Sequence, residues 1–133
     1  MDMITRIIAE RACEKLIIDY AALNDAGDWD AVAGFYTDDG RMSRPTAPDD
    51  FVEGRAAILA AFKNRPARTT RHICSNIRVT VESEDGATAA SQILLFTGSD
   101  QAPLVGSYVD RLVLTGQGWR FAERRGSLDF PPA

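Results

Sequence analysis

One histidine, two cysteines and no CxxC spacing in 133 residues leave little from which to build a metal centre or a disulfide framework. The expectation is a chain with neither metal nor cofactor. Long apolar runs are also absent. The opening stretch "MDMITRIIAERACEKL" carries a charge every few residues, so it reads as neither a secretory leader nor a membrane span. A cytoplasmic location, with no membrane partner, is the default expectation. Positive charge is in deficit, with 15 Lys and Arg against 19 Asp and Glu and a net charge of −4. Basic residues are scattered except at Arg65, Arg68 and Arg71, a group that reads as a solvated loop, with phosphate contact as a remote alternative. Nucleic acid is therefore not the expected partner.

What is present suits a soluble globular domain: 45% hydrophobic and 26% charged residues, over a length sufficient for one core. A single domain over 1–133, without internal repeats, is expected. From Ile4 to Ala26 there is neither proline nor glycine, and apolar residues recur at Ile4, Ile7, Ile8, Cys13, Leu16, Ile17, Tyr20 and Leu23, which predicts a long amphipathic helix. Gly27 stops it, and Asp28 caps a short second helix over 29–35. A strand through Met42 and a Pro-rich loop over 45–50, a lid candidate, precede a third helix after Gly54 that ends before Pro66. Strands are expected over 70–83, 87–98, 104–115 and 118–130 in an antiparallel meander, giving an α+β fold with helices packed on one face of the sheet. Because 87–98 is apolar or small on both alternations, both of its faces are expected to be covered, one of them by a second copy in a homodimer. A cover of loops is the alternative.

The histidine stands in "TRHICSN". There the even positions His72, Cys74 and Asn76 are polar or soft, whereas beyond them the odd positions Ile77, Val79 and Val81 are apolar. An imidazole in an apolar pocket exchanges a proton near neutral pH, although a lone half-buried histidine is more often structural. In the first helix Ile18, Ala21, Ala22 and Asp25 share a face by their spacing, so a carboxylate extends an apolar stripe. A buried carboxylate needs a partner, and His72 is the only imidazole available. Capping of the Gly27 corner is the other reading of Asp25.

The stretches "DYAALNDAGDWDAVAGFY", "TRHICSNIRVTVE", "VGSYVDRL" and "GWRF" together resemble the SnoaL-like branch of the NTF2-like superfamily over nearly the whole chain. The resemblance implies a cone in which three N-terminal helices close over a strongly curved, mostly antiparallel sheet that encloses a pocket. Relatives in this style include scytalone dehydratase, bile-acid dehydratase and lindane dehydrochlorinase, all lyases that need no cofactor. It further implies a catalytic dyad of Asp25 and His72, and matches Tyr20 to a tyrosine that polarises a substrate oxygen. The second acid or base of the dehydratases falls near Leu95 to Thr97, where no residue can play that part. The basic residues that assist halide loss also lack evident counterparts.

"GSYVDR" places Tyr108 and Asp110 on one strand face, toward the pocket or, for Asp110, in a cross-strand pair with Arg124 or Arg125. Trp29, Phe35, Phe51, Phe62 and Trp119 are candidate pocket walls, with core packing as their default role. Two functions follow. The first is a cofactor-independent lyase or isomerase that abstracts a proton from a small apolar, cyclic or polyketide-like substrate. The second is a non-catalytic binder of a small apolar or aromatic ligand, or an accessory subunit of a larger enzyme.

Overall fold

A computed structural model of the chain describes residues 1–132. Helices α1 (Met3–Ala26), α2 (Trp29–Gly34) and α3 (Arg55–Lys63) accompany six strands: β1 (Tyr36–Arg44), β2 (Ala47–Glu53), β3 (Arg71–Val81), β4 (Gly86–Phe96), β5 (Leu104–Thr115) and β6 (Gly118–Leu128). The strands form one sheet in the order β2-β1-β6-β5-β4-β3, antiparallel throughout except where β1 runs parallel to β6. The α+β arrangement and the antiparallel meander over the last four strands are as expected from the sequence.

Local chemistry explains the element ends. The Asp2 carboxylate accepts from the Thr5 N–H at the start of α1, and Gly27, at a φ of 73°, closes it in the left-handed conformation that glycine adopts without strain. Asp28 caps α2 by accepting from the Ala31 N–H. The inward face of α1 is Ala9, Cys13, Leu16, Ile17, Tyr20, Ala21 and Asn24. With Val32, Tyr36, Met42, Ile58, Phe62, Leu112 and Phe121 it builds the core between helices and sheet.

Two expectations are corrected. Residues 47–53 are a strand, not a lid loop: β2 pairs with β1 across a turn at Pro45 and Thr46, and Pro48 is tolerated because an edge strand has one unpaired side. Ile4, Ile7 and Ile8 do not face the core; Ile4 is 72% exposed, and it is Arg6 that reaches the sheet there, donating to the Val81 carbonyl. In the strand apolar on both alternations, the single chain buries one face and leaves the other, where a second copy was expected, half-covered. Ala87, Ala89, Ser91 and Ile93 are buried, whereas Thr88, Ala90, Gln92 and Leu94 on the opposite face are half-buried.

A bulge in β3 sets the course of the sheet edge. Ser75 pairs with Gln92 and Arg78 with Ala90, so Asn76 and Ile77 together stand opposite Ser91, and Asn76 takes a φ of 50°. Asparagine accepts this conformation better than most residues, and the extra residue bends the strand. It also switches the inward parity from His72 and Cys74 to Ile77, Val79 and Val81. That switch accounts for the change of pattern seen in the sequence.

Candidate functional site

Asp25 lies in the last turn of α1, where the negative end of the helix dipole disfavours a carboxylate, so its position there calls for a tertiary partner. It has three. Asp25 Oδ1 lies 2.5 Å from His72 Nδ1 and accepts from the Thr70 hydroxyl at 2.9 Å, while Oδ2 accepts from the His72 backbone N–H at 2.8 Å. The carboxylate thus holds both the main chain and the ring of His72. Its route inward differs from the expected stripe, because Ile18 and Ala22 are exposed and Asp25 is turned in by β3 rather than by its helical neighbours. A carboxylate can only accept, so the neutral imidazole carries its proton on Nδ1 and presents a lone pair at Nε2. Among the described residues no hydrogen bond engages Nε2.

His72 borders a cavity of about 350 Å³ together with Tyr20, Phe62, Ile93, Leu95 and Tyr108. A second space of about 370 Å³ adjoins it, lined by Asp25, Trp29, Lys63 and Thr70, and His72 borders both. The close approach of two backbones shapes one wall: a Cβ on Gly126 would come within 2.6 Å of the Pro45 nitrogen, so only glycine lets the β1–β2 turn settle on β6 beside the cavity. Tyr20 is buried, with its hydroxyl 2.9 Å from that of Tyr36. Burial raises the pKa of Tyr20 and pushes that of Tyr108 up to about 12, so both phenols stay protonated at neutral pH and serve as hydrogen-bond groups rather than bases.

Of the aromatic candidates, Phe62 and Tyr108 line the main cavity. Trp29 borders the adjoining space and stacks on Phe62 at 5.3 Å between ring centres. Phe35 and Trp119 are packed in or against the core and Phe51 lies under the Arg41 guanidinium on β2; none of these three borders either space. Asp110 also stays out of the cavity. It is sealed against Arg124, its cross-strand neighbour, with Arg124 Nε 3.0 Å from Asp110 Oδ1.

Sequence reasoning missed the role of Arg124. Its guanidinium lies 3.8 Å from the centre of the Tyr108 ring, 4.5 Å from that of Tyr20 and 4.8 Å from that of Phe121, directly behind two cavity-lining phenols. Burial opposes its charge, and Asp110 with the neighbouring phenols more than offsets this, so its pKa lies above the ordinary arginine value. Burial pushes Asp110 up to about 6 against the pull of Arg124. The signal in the sequence was the alternation of β6, which directs Trp119, Phe121 and Arg124 inward once the bulge opposite Arg111 and Leu112 is allowed for. Also missed were Arg44, Arg65 and Arg68, which line the main cavity.

The chain belongs to the SnoaL-like domain family, which matches residues 5–125. Similar solved structures include a Novosphingobium aromaticivorans protein provisionally named a scytalone dehydratase, 24% identical, with 97% of this chain and 89% of that one covered at a TM-score of 0.85. An NTF2-like protein with a cystatin-like fold from the same species is 26% identical over 96% and 86% of the two chains, with a TM-score of 0.84. The hexachlorocyclohexane dehydrochlorinase LinA-type3 of Novosphingobium barchaimii is 16% identical over 97% and 92%, with a TM-score of 0.84. No curated protein gives a significant match. These likenesses establish the NTF2-like fold expected from the sequence.

Proposed function

We propose that the protein is a cofactor-independent lyase or isomerase of the dehydratase kind, with His72 as the base. The observation that carries this reading is the 2.5 Å contact of Asp25 with His72 Nδ1, which leaves Nε2 unengaged beside the cavity. Nε2 takes a proton from a substrate carbon next to a carbonyl, and Asp25 stabilises the imidazolium that forms. Tyr36 can donate to the Tyr20 oxygen, so that the Tyr20 hydroxyl can exchange its weak 3.8 Å contact with Met42 Sδ for donation to the carbonyl. In dehydration the C–H electron pair becomes the new C=C bond as the C–O bond breaks, and the departing hydroxide needs a proton. Leu95 lines the cavity where related dehydratases carry a second acid or base, so the imidazolium returns that proton itself and water leaves. In isomerisation the same proton goes back to a different carbon. The substrate class is small, cyclic or polyketide-like, and largely apolar, in keeping with Ile93, Leu95 and Phe62.

The test is deuterium incorporation from D₂O, followed by NMR, across a panel of cyclic hydroxyketones and polyketide-like aromatic ketones. Exchange or elimination faster than buffer, and lost in His72→Ala, supports the reading. Leu95 also favours a second reading, a non-catalytic ligand binder, and tight binding of panel members with exchange no faster than buffer would establish it. The half-covered outer face of the sheet, where Ile73, Phe96 and Val109 are exposed, supports a homodimer. Sedimentation of a monomer at micromolar concentration would overturn that assembly.

A further inference from the structure

The proposed chemistry accounts for the inner cavity but not for its charge. Arg44 and Arg65 are half-buried and Arg68 is exposed, and all three line the same cavity as His72. Among the described residues none of them has a carboxylate within 4.0 Å, although the chain as a whole carries a net charge of −4. By contrast, Arg41 pairs with Glu53 and Glu123, Arg55 with Asp38, Arg124 with Asp110 and Arg125 with Asp49, all outside this cavity's lining. Arg44 gives one hydrogen bond, from Nη2 to the Ala61 carbonyl at 3.2 Å, and its Nε is buried with no partner. The Arg65 guanidinium lies over Phe62, 4.6 Å from the ring centre. Burial and the nearby charge of Arg44 lower the pKa of Arg65, so the two cations are held together against their mutual repulsion. Unpaired, partly desolvated guanidinium groups facing one opening favour an anion, whose bound form would relieve that repulsion.

Resting on the proton-transfer reading for the inner end of the cavity, we infer that the substrate carries an oxyanion, a carboxylate or a phosphoryl group, which Arg44, Arg65 and Arg68 hold at the mouth while the apolar body reaches toward His72. Phe62 connects the two ends: it carries Arg65 on its face and itself lines the cavity. The arginine group read from the sequence as a solvated loop therefore divides. Arg65 and Arg68 turn to the cavity, whereas Arg71, at the start of β3, is exposed and lines neither space.

Calorimetric titration with 2-naphthoate, 2-naphthyl phosphate and the neutral 2-naphthalenemethanol tests this without any need for turnover. Expected are anion affinities roughly tenfold or more above that of the alcohol, falling with added salt. Arg44→Gln with Arg65→Gln should erase the preference, Arg65→Lys should retain part of it, and Arg71→Gln should leave it unchanged. Whichever anion binds more tightly identifies the oxyanion. Equal affinity for anion and alcohol, a preference untouched by the double substitution, or no anion binding overturns the inference. His72→Ala should keep the preference while losing exchange, so failure of the anion site and failure of the dyad are read separately.

Discussion

Two acid–base pairs stand close together in this molecule and have opposite surroundings. Asp25 and His72 have side chains 9% and 12% exposed and His72 borders two open spaces, whereas Asp110 and Arg124 are 0% and 1% exposed and neither borders a space. The first pair combines an imidazole held by a carboxylate with one ring nitrogen left unengaged beside open space. The second pairs a permanent cation with a carboxylate in the dry interior, so its worth is in fixed charge and packing behind Tyr20 and Tyr108. Hydrogen-bonded geometry alone does not distinguish them; access to open space does.

The largest effects separate the pairs by activity. His72→Ala should lower kcat/KM on a responsive panel substrate by roughly 10²- to 10⁴-fold while leaving the urea midpoint nearly unchanged. Asp25→Asn, which forces the wrong tautomer on the imidazole, should approach that loss, and steady-state kinetics on the two variants check both. If Asp25→Asn retained full turnover, the first pair would be no more functional than the second.

Stability should separate them in the other sense. Arg124→Met leaves Asp110 buried and unpaired, a cost of about 3–5 kcal/mol in urea unfolding, and the double variant with Asp110→Leu should recover much of it. A smaller change is expected from Tyr20→Phe: about 1 kcal/mol of stability from the lost hydroxyl contact with Tyr36, and roughly tenfold in kcat. Unchanged kcat would remove Tyr20 from the chemistry.

The subtlest effect is in pH. Asp110 moves from an ordinary 3.8 to about 6 on folding, so the folded protein holds this proton more tightly than the unfolded chain. Its contribution to stability is therefore fully present below the unfolded value and is lost as pH rises through the folded one. The difference in urea midpoint between the wild type and Asp110→Asn, measured across that interval, should follow this trend, and a flat difference would contradict it.

Much of this was legible along the chain because it is local. The cap at Asp28, the stop at Gly27 and the two-residue alternation of the last four strands are near-neighbour effects, and they suffice for the α+β order of elements. Asp25 and His72 could be paired in advance because the chain has one imidazole and the family resemblance matches both positions, although Ile18 and Ala22 of the helical stripe invoked for Asp25 face outward. Other features resisted. The stretch around Pro48 resembles a loop until β1 offers it an edge, and Phe35, Phe51 and Trp119 look like any other aromatic until the cavity is placed.

Composition and periodicity thus determined the elements, which depend on contacts within a turn or two, and the likeness of the quoted stretches to the SnoaL-like branch implied the family and the candidate dyad. Only the tertiary structure decided which side of each element meets open space. It took the bulge at Asn76 to turn His72 and Val79 to the same side of a strand, and the folding of Arg44 against the 65–68 segment to gather cations that lie far apart in sequence. Burial, and with it the chemistry of a charged group, is a property of the assembled surfaces and not of the chain.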